Sequence, residues 1–85
     1  METAGRHIAQ LSDPSVVTYR YHSTDYRAVG SMMDMAKLYQ TIRVSLTDKI
    51  EGDRLSQIRA TMRRENVYIK PVPEAANTYE VYRYP

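Results

Sequence analysis

Nine of the chain's twelve cations are arginines, and they are unevenly placed. Between Arg54 and Lys70 stand Arg54, Arg59, Arg63, Arg64 and Lys70 against the single acid Glu65. Residues 1–30 are balanced, with Arg6, Arg20 and Arg27 facing Glu2, Asp13 and Asp25. A guanidinium offers a planar fork of donors that matches phosphate and base edges, so the chemistry this segment can do is recognition of a polyanion. Catalysis finds no support. Cysteine is absent, which removes thiolate chemistry, disulfides and cysteine-held zinc. His7 and His22 have no second ligand at helical spacing, so metal binding is not expected. Asp48, Glu51 and Asp53 crowd one turn, but Asp48 and Asp53 sit where helix starts favour negative charge. Gly5, Gly30 and Gly52 stand alone, so no glycine-rich phosphate loop is present. The expectation is a protein that is not an enzyme and carries no cofactor.

The elements that would position these cations can be read from periodicity. From Asp53 to Asn66 the chain reads as an amphipathic helix: Leu55, Ile58 and Met62 fall on one side, and Gln57, Ala60 and Arg64 on the other. Arg59 and Arg63 border that outward side, Asp53 caps the helix, and Asn66 suits a left-handed C-cap. VYIKPV and TYEVYRY then read as two strands joined by the loop PEAAN, with Pro71 and Pro73 confining the first to an edge. Upstream, VVTYRYH alternates Val17, Tyr19 and Tyr21 against Thr18, Arg20 and His22, which predicts a strand, with a helix capped at Ser12 as the competing reading. Ser31 and Asp34 have the spacing of a capping box before a helix bearing Met32, Met35, Tyr39 and Ile42, although a start at Thr24-Asp25 is open if Gly30 is tolerated. Met33 alone of the methionines is expected to be exposed. IRVSL could extend that helix or form a strand, and Thr47 offers a cap for a short helix, DKIE, ending at Gly52. Residues 1–15 read as a frayed helix or a flexible arm on one 85-residue domain whose core is 31–85.

Short helix, glycine turn, basic helix and hairpin is the element order of a winged helix-turn-helix: an α+β fold of three helices with a C-terminal β-hairpin. The stretch resembles the small winged-helix domains of phage and mobile-element regulators at Arg54-Leu55-Ser56, Ile58, Arg63-Arg64, Ile69 and Tyr79 through Tyr84. The resemblance implies a sequence-specific DNA-binding protein, a transcriptional regulator or recombination accessory factor, with helix 53–66 in the major groove. On that expectation Gln57 reads adenine, Arg64 reads guanine, and Ser56 and Thr61 are short donors. Ala60 lets the backbone approach, Arg59, Arg63 and Lys70 neutralise phosphates, and Arg54 borders the same DNA-binding side. One small module offers few base contacts, so a homodimer on two half-sites is expected. The plainer account of the helix is a solvated surface that packs a core beneath.

Phe and Trp are absent, and eight tyrosines carry the whole aromatic load. Tyr68, Tyr79, Tyr82 and Tyr84 could stack the bases of a single strand. Strand alternation sends Tyr82 and Tyr84 to one side and Tyr79 to the other, so the preferred reading is that they build the core instead. A second function class is a small protein-binding antagonist or adaptor: tyrosine and arginine are enriched at interfaces, the net charge is only +2, and the hairpin loop carries Glu74 and no cation. No apolar run reaches membrane-spanning length and no signal-peptide core is visible, which leads to the expectation of a cytoplasmic protein.

Overall fold

The structure, a computed structural model, describes residues 16–50 and 52–84. The alternating segment forms β1 (Val17–Tyr21), and α1 (Tyr26–Tyr39) follows. The helix starts at the earlier of its two candidate caps: Asp25 is extended and its Oδ1 accepts from the Ala28 N–H at 2.9 Å. Gly30 is indeed carried inside the helix. The ambiguous IRVSL run belongs to a strand, β2 (Thr41–Leu46), entered through Gln40 at a φ of 72°. The basic helix, α2 (Gly52–Arg63), ends where Asn66 turns left-handed at a φ of 60°. Then come β3 (Val67–Pro71) and β4 (Thr78–Arg83), the expected hairpin.

These elements do not make a winged helix-turn-helix. The described residues hold two helices, not three, and the hairpin is half of a four-stranded sheet of order β1-β2-β4-β3. β1 and β2 pair in parallel, while β4 pairs antiparallel with both β2 and β3, so β4 alone runs against the other three. The expected first helix of the helix-turn-helix does not form over residues 47–50. Thr47 N–H instead bonds the Tyr21 carbonyl at 3.0 Å, lengthening the β1–β2 ladder where a helix cap was expected. The flexible-arm reading of residues 1–15 lies outside the described residues.

One face of the sheet is covered. Ile42, Val44 and Leu46 of β2, Val67 and Ile69 of β3, and Tyr79 and Val81 of β4 pack in a single cluster with Val29, Met32, Met33 and Ala36 of α1 and Ile58 and Met62 of α2. Both helices therefore lie on the same side, in two layers. Met33, expected at the surface, is buried in that core: with the helix starting at Tyr26, Val29, Met32, Met33 and Ala36 recur at three- and four-residue spacing along the covered stripe. Tyr39, in the expected stripe, is exposed at the helix end, as is Leu38. No helix among the described residues is long and apolar enough to cross a membrane.

Candidate functional site

Two surfaces carry cations, one on the helical layer and one on the sheet. On the helical layer Ser56, Gln57, Arg59, Ala60, Arg63 and Arg64 are exposed, and Arg54 and Thr61 are half-buried. Arg54 is a latch. Its guanidinium donates to the Thr24 carbonyl, to Thr24 Oγ1 at 3.2 Å and to Gln57 Oε1 at 3.2 Å, tying the start of α2 to the loop before α1. Thr61 and Arg64 border a cleft of about 600 Å³ whose other wall is Tyr26, Arg27, Gly30 and Asp34 of α1. Lys37 of α1 pairs with Glu65 just beyond α2. The outward side of α2 is thus one half of a helical layer, with α1 beside it on the same sheet face.

Lys70, grouped with those arginines by its place in the chain, is on the opposite side of the molecule. In β3, Val67 and Ile69 face the helices, so Tyr68 and Lys70 face away. The pairing registers place its neighbours. One row across the outer face reads Thr18, Arg43, Glu80, Lys70; beside it run Thr41, Tyr82, Tyr68 on one side and Arg20, Ser45, Thr78 on the other. Among the described residues, three cations and one carboxylate stand on this face with threonines, a serine and an aromatic corner.

That corner is a cluster of rings. Tyr68 and Tyr82, directly paired across β3 and β4, lie 5.8 Å apart between centroids at an interplanar angle of 24°. Tyr84 sets its ring edge-on to both, 5.1 Å from Tyr68 and 6.1 Å from Tyr82. Lys70 Nζ sits 5.6 Å from the Tyr82 centroid, within cation–π range, and 3.8 Å from Glu80 Oε1. Tyr84 is 63% exposed, and Tyr68 and Tyr82 are half-buried. Tyr79, the fourth hairpin tyrosine, is in the core. The rings left outside stand beside Lys70. Alternation in VYIKP and TYEVYRY was the available signal: it puts Tyr68, Lys70, Glu80, Tyr82 and Tyr84 on the side away from Val67, Ile69, Tyr79 and Val81.

Among the described residues, two groups have shifted acidity, both away from this corner. The Ala28 N–H, opposed by some loss of solvation and aided by Ser23 and Arg27, holds the Asp25 carboxyl below the ordinary carboxylate range. Loss of solvation, then the neighbouring Tyr39 and Tyr21, push the Tyr19 phenol up; its hydroxyl meets Met35 Sδ at 3.2 Å. A second cleft, of about 520 Å³, opens at the ends of β1 and β2, where His22 Nδ1 meets Thr47 Oγ1 at 3.0 Å. Among the described residues no three His, Cys, Asp or Glu side chains converge as a metal site. Comparison with protein-family models, with curated proteins and with solved structures finds no match.

Proposed function

We propose that the outer face of the sheet binds single-stranded nucleic acid, with Tyr68, Tyr82 and Tyr84 stacking bases and Arg20 and Lys70 facing phosphates. The observation that supports this reading is the three-ring cluster on the sheet face turned away from both helices, with Lys70 beside it. Base–aromatic stacking contributes about 1–3 kcal/mol per base and tolerates any sequence, because every base has a π-face. A duplex hides those faces in its own stack, so a ring platform selects the unpaired strand. The cations supply the salt-dependent part of affinity.

The rival surface is the exposed Arg59 and Arg63 of α2 with Arg64 just beyond it, which suits the phosphates of a duplex. Titration of labelled single-stranded and duplex oligonucleotides at several ionic strengths separates the two. Single strands bind more tightly, Tyr68→Leu with Tyr82→Leu abolishes that binding, and Arg59→Gln with Arg63→Gln leaves it in place. Tighter duplex binding that is lost with the helix arginines and indifferent to the tyrosines would refute the sheet reading.

A further inference from the structure

A platform built only to hold phosphates would not carry a carboxylate in the middle of its cationic row. Glu80 occupies that position, between its register partners Arg43 on β2 and Lys70 on β3. Its pairing with Lys70 is loose: at 3.8 Å the ammonium is beyond hydrogen-bonding distance, and the two side chains are 25% and 60% exposed. Such a pair adds little to stability. Glu80 stands two residues before Tyr82 on the same face of β4, and Lys70 Nζ lies over the Tyr82 ring. A base stacked in this corner therefore has an acceptor and a donor on neighbouring side chains.

We infer that Glu80 and Lys70 together make this surface selective for guanine in the strand it binds; the inference rests on the sheet face being the nucleic-acid surface. Guanine carries two adjacent donors on its Watson–Crick edge, N1–H and the N2 amino group, which match both oxygens of one carboxylate in a charge-assisted, two-pronged contact. Its O6 acceptor lies next to N1, on the side where an ammonium beside the carboxylate donates. Adenine and cytosine offer one amino group next to a ring nitrogen whose lone pair repels the second carboxylate oxygen. Uracil offers one N–H between two carbonyls. Sequence-specific recognition of single strands works through hydrogen bonds to the exposed edges of unstacked bases.

The test uses fluorescence anisotropy with the full chain and a labelled short oligouridine, either plain or carrying one central guanosine, adenosine, cytidine or inosine. Guanosine raises affinity about tenfold over the other natural bases, as expected of one good bidentate contact. Inosine, which keeps N1–H and O6 but lacks the N2 amino group, falls back toward uridine. Glu80→Gln erases the guanosine preference while the plain oligouridine binds at least as well, since a negative charge has been removed from a phosphate-binding face. Equal binding of all the oligomers, still dependent on Tyr82, overturns the guanine inference and leaves the surface standing. A guanosine preference that survives in Glu80→Gln, or that inosine shares in full, also overturns it. Binding of none removes both surface and selectivity.

Discussion

Replacing Tyr82 by leucine takes away the ring at the centre of the cluster while leaving its place in the sheet filled. The Tyr82 ring lies 5.8 Å from Tyr68, 6.1 Å from Tyr84 and 5.6 Å from Lys70 Nζ, so each member of the corner loses a neighbour. Stacking of a base on one aromatic side chain contributes about 1–3 kcal/mol, and the middle of that range corresponds to roughly a thirtyfold weaker Kd for a single strand. The cost to folding is smaller. Two aromatic contacts contribute about 0.5–1.5 kcal/mol each, toward the lower end for half-exposed rings. Against the roughly 5–15 kcal/mol by which a small domain is stable, leucine at this strand position leaves the protein folded. Tyr82→Phe keeps the ring and loses only the hydroxyl, so it binds within about twofold of the parent if the π-face is what matters. Anisotropy titration with a labelled single strand, run beside thermal melting of each variant, measures both quantities. The reasoning is refuted if the leucine variant binds like the parent, or if phenylalanine is as damaging as leucine.

Lys70→Gln lowers the slope of log affinity against log salt by about 0.7, the value for one phosphate contact on a single strand; an unchanged slope would move Lys70 out of the phosphate path. Gly30→Ala raises stability by roughly 0.5–1 kcal/mol in denaturant unfolding, because an added Cβ meets nothing within 4 Å and glycine is the costly residue inside a helix; destabilisation would mean that the start of α1 is packed otherwise. Asp25 supplies an acid-range signature, since the Ala28 N–H holds its carboxyl below the ordinary range. A depressed folded-state pKa means that its contribution is complete above the unfolded value, about pH 4, and is lost as pH falls through the lower folded value. Asp25→Asn keeps a capping side chain but not the titration, so its melting temperature falls less steeply below about pH 4 than the parent's; parallel curves would assign the acid sensitivity to other carboxylates.

Local signals carried the individual elements further than their assembly. The two-residue alternation around Val17 to Tyr21, the stripe of Leu55, Ile58 and Met62, and a left-handed Asn66 before the hairpin are properties of adjacent residues, and the structure has them. Parallel pairing of β1 with β2 is not such a property: it joins residues 25 positions apart, such as Val17 and Ile42, and no turn chemistry announces it. Thr47 shows the ambiguity in one residue. Its type and position suit a helix cap, yet both its N–H and its hydroxyl are taken by the Tyr21 carbonyl once β1 lies alongside β2. The site was half legible for the same reason. Alternation already divided Tyr82 and Tyr84 from Tyr79, but which side the helices would cover depended on the whole sheet. Lys70 was placed with the helix arginines because it is near them in the chain, although alternation within VYIKP aligns it with Tyr68 and away from α2.

The dependence of the site on the sheet also gives the platform its rigidity. β3 and β4 are each used on both faces: Val67, Ile69, Tyr79 and Val81 seal the core, while Tyr68, Lys70, Glu80 and Tyr82 alternate with them outside. A slip of β3 by one residue against β4 would drive Tyr68 and Lys70 under the helices and turn Val67 and Ile69 to solvent, so core packing that fixes one face fixes the other. Placing β4 between β2 and β3 strengthens this, because Tyr82 is then held between Thr41 and Tyr68 by antiparallel ladders on both sides. At a sheet edge it would be supported on one side only. A ring set on a doubly braced strand, as Tyr82 is, would lose little freedom on stacking with a base, and the affinity lost to ordering would be correspondingly small. Loosening the core beneath, by truncating Val81 for example, should therefore weaken single-strand binding even though that side chain is fully buried and cannot touch the ligand.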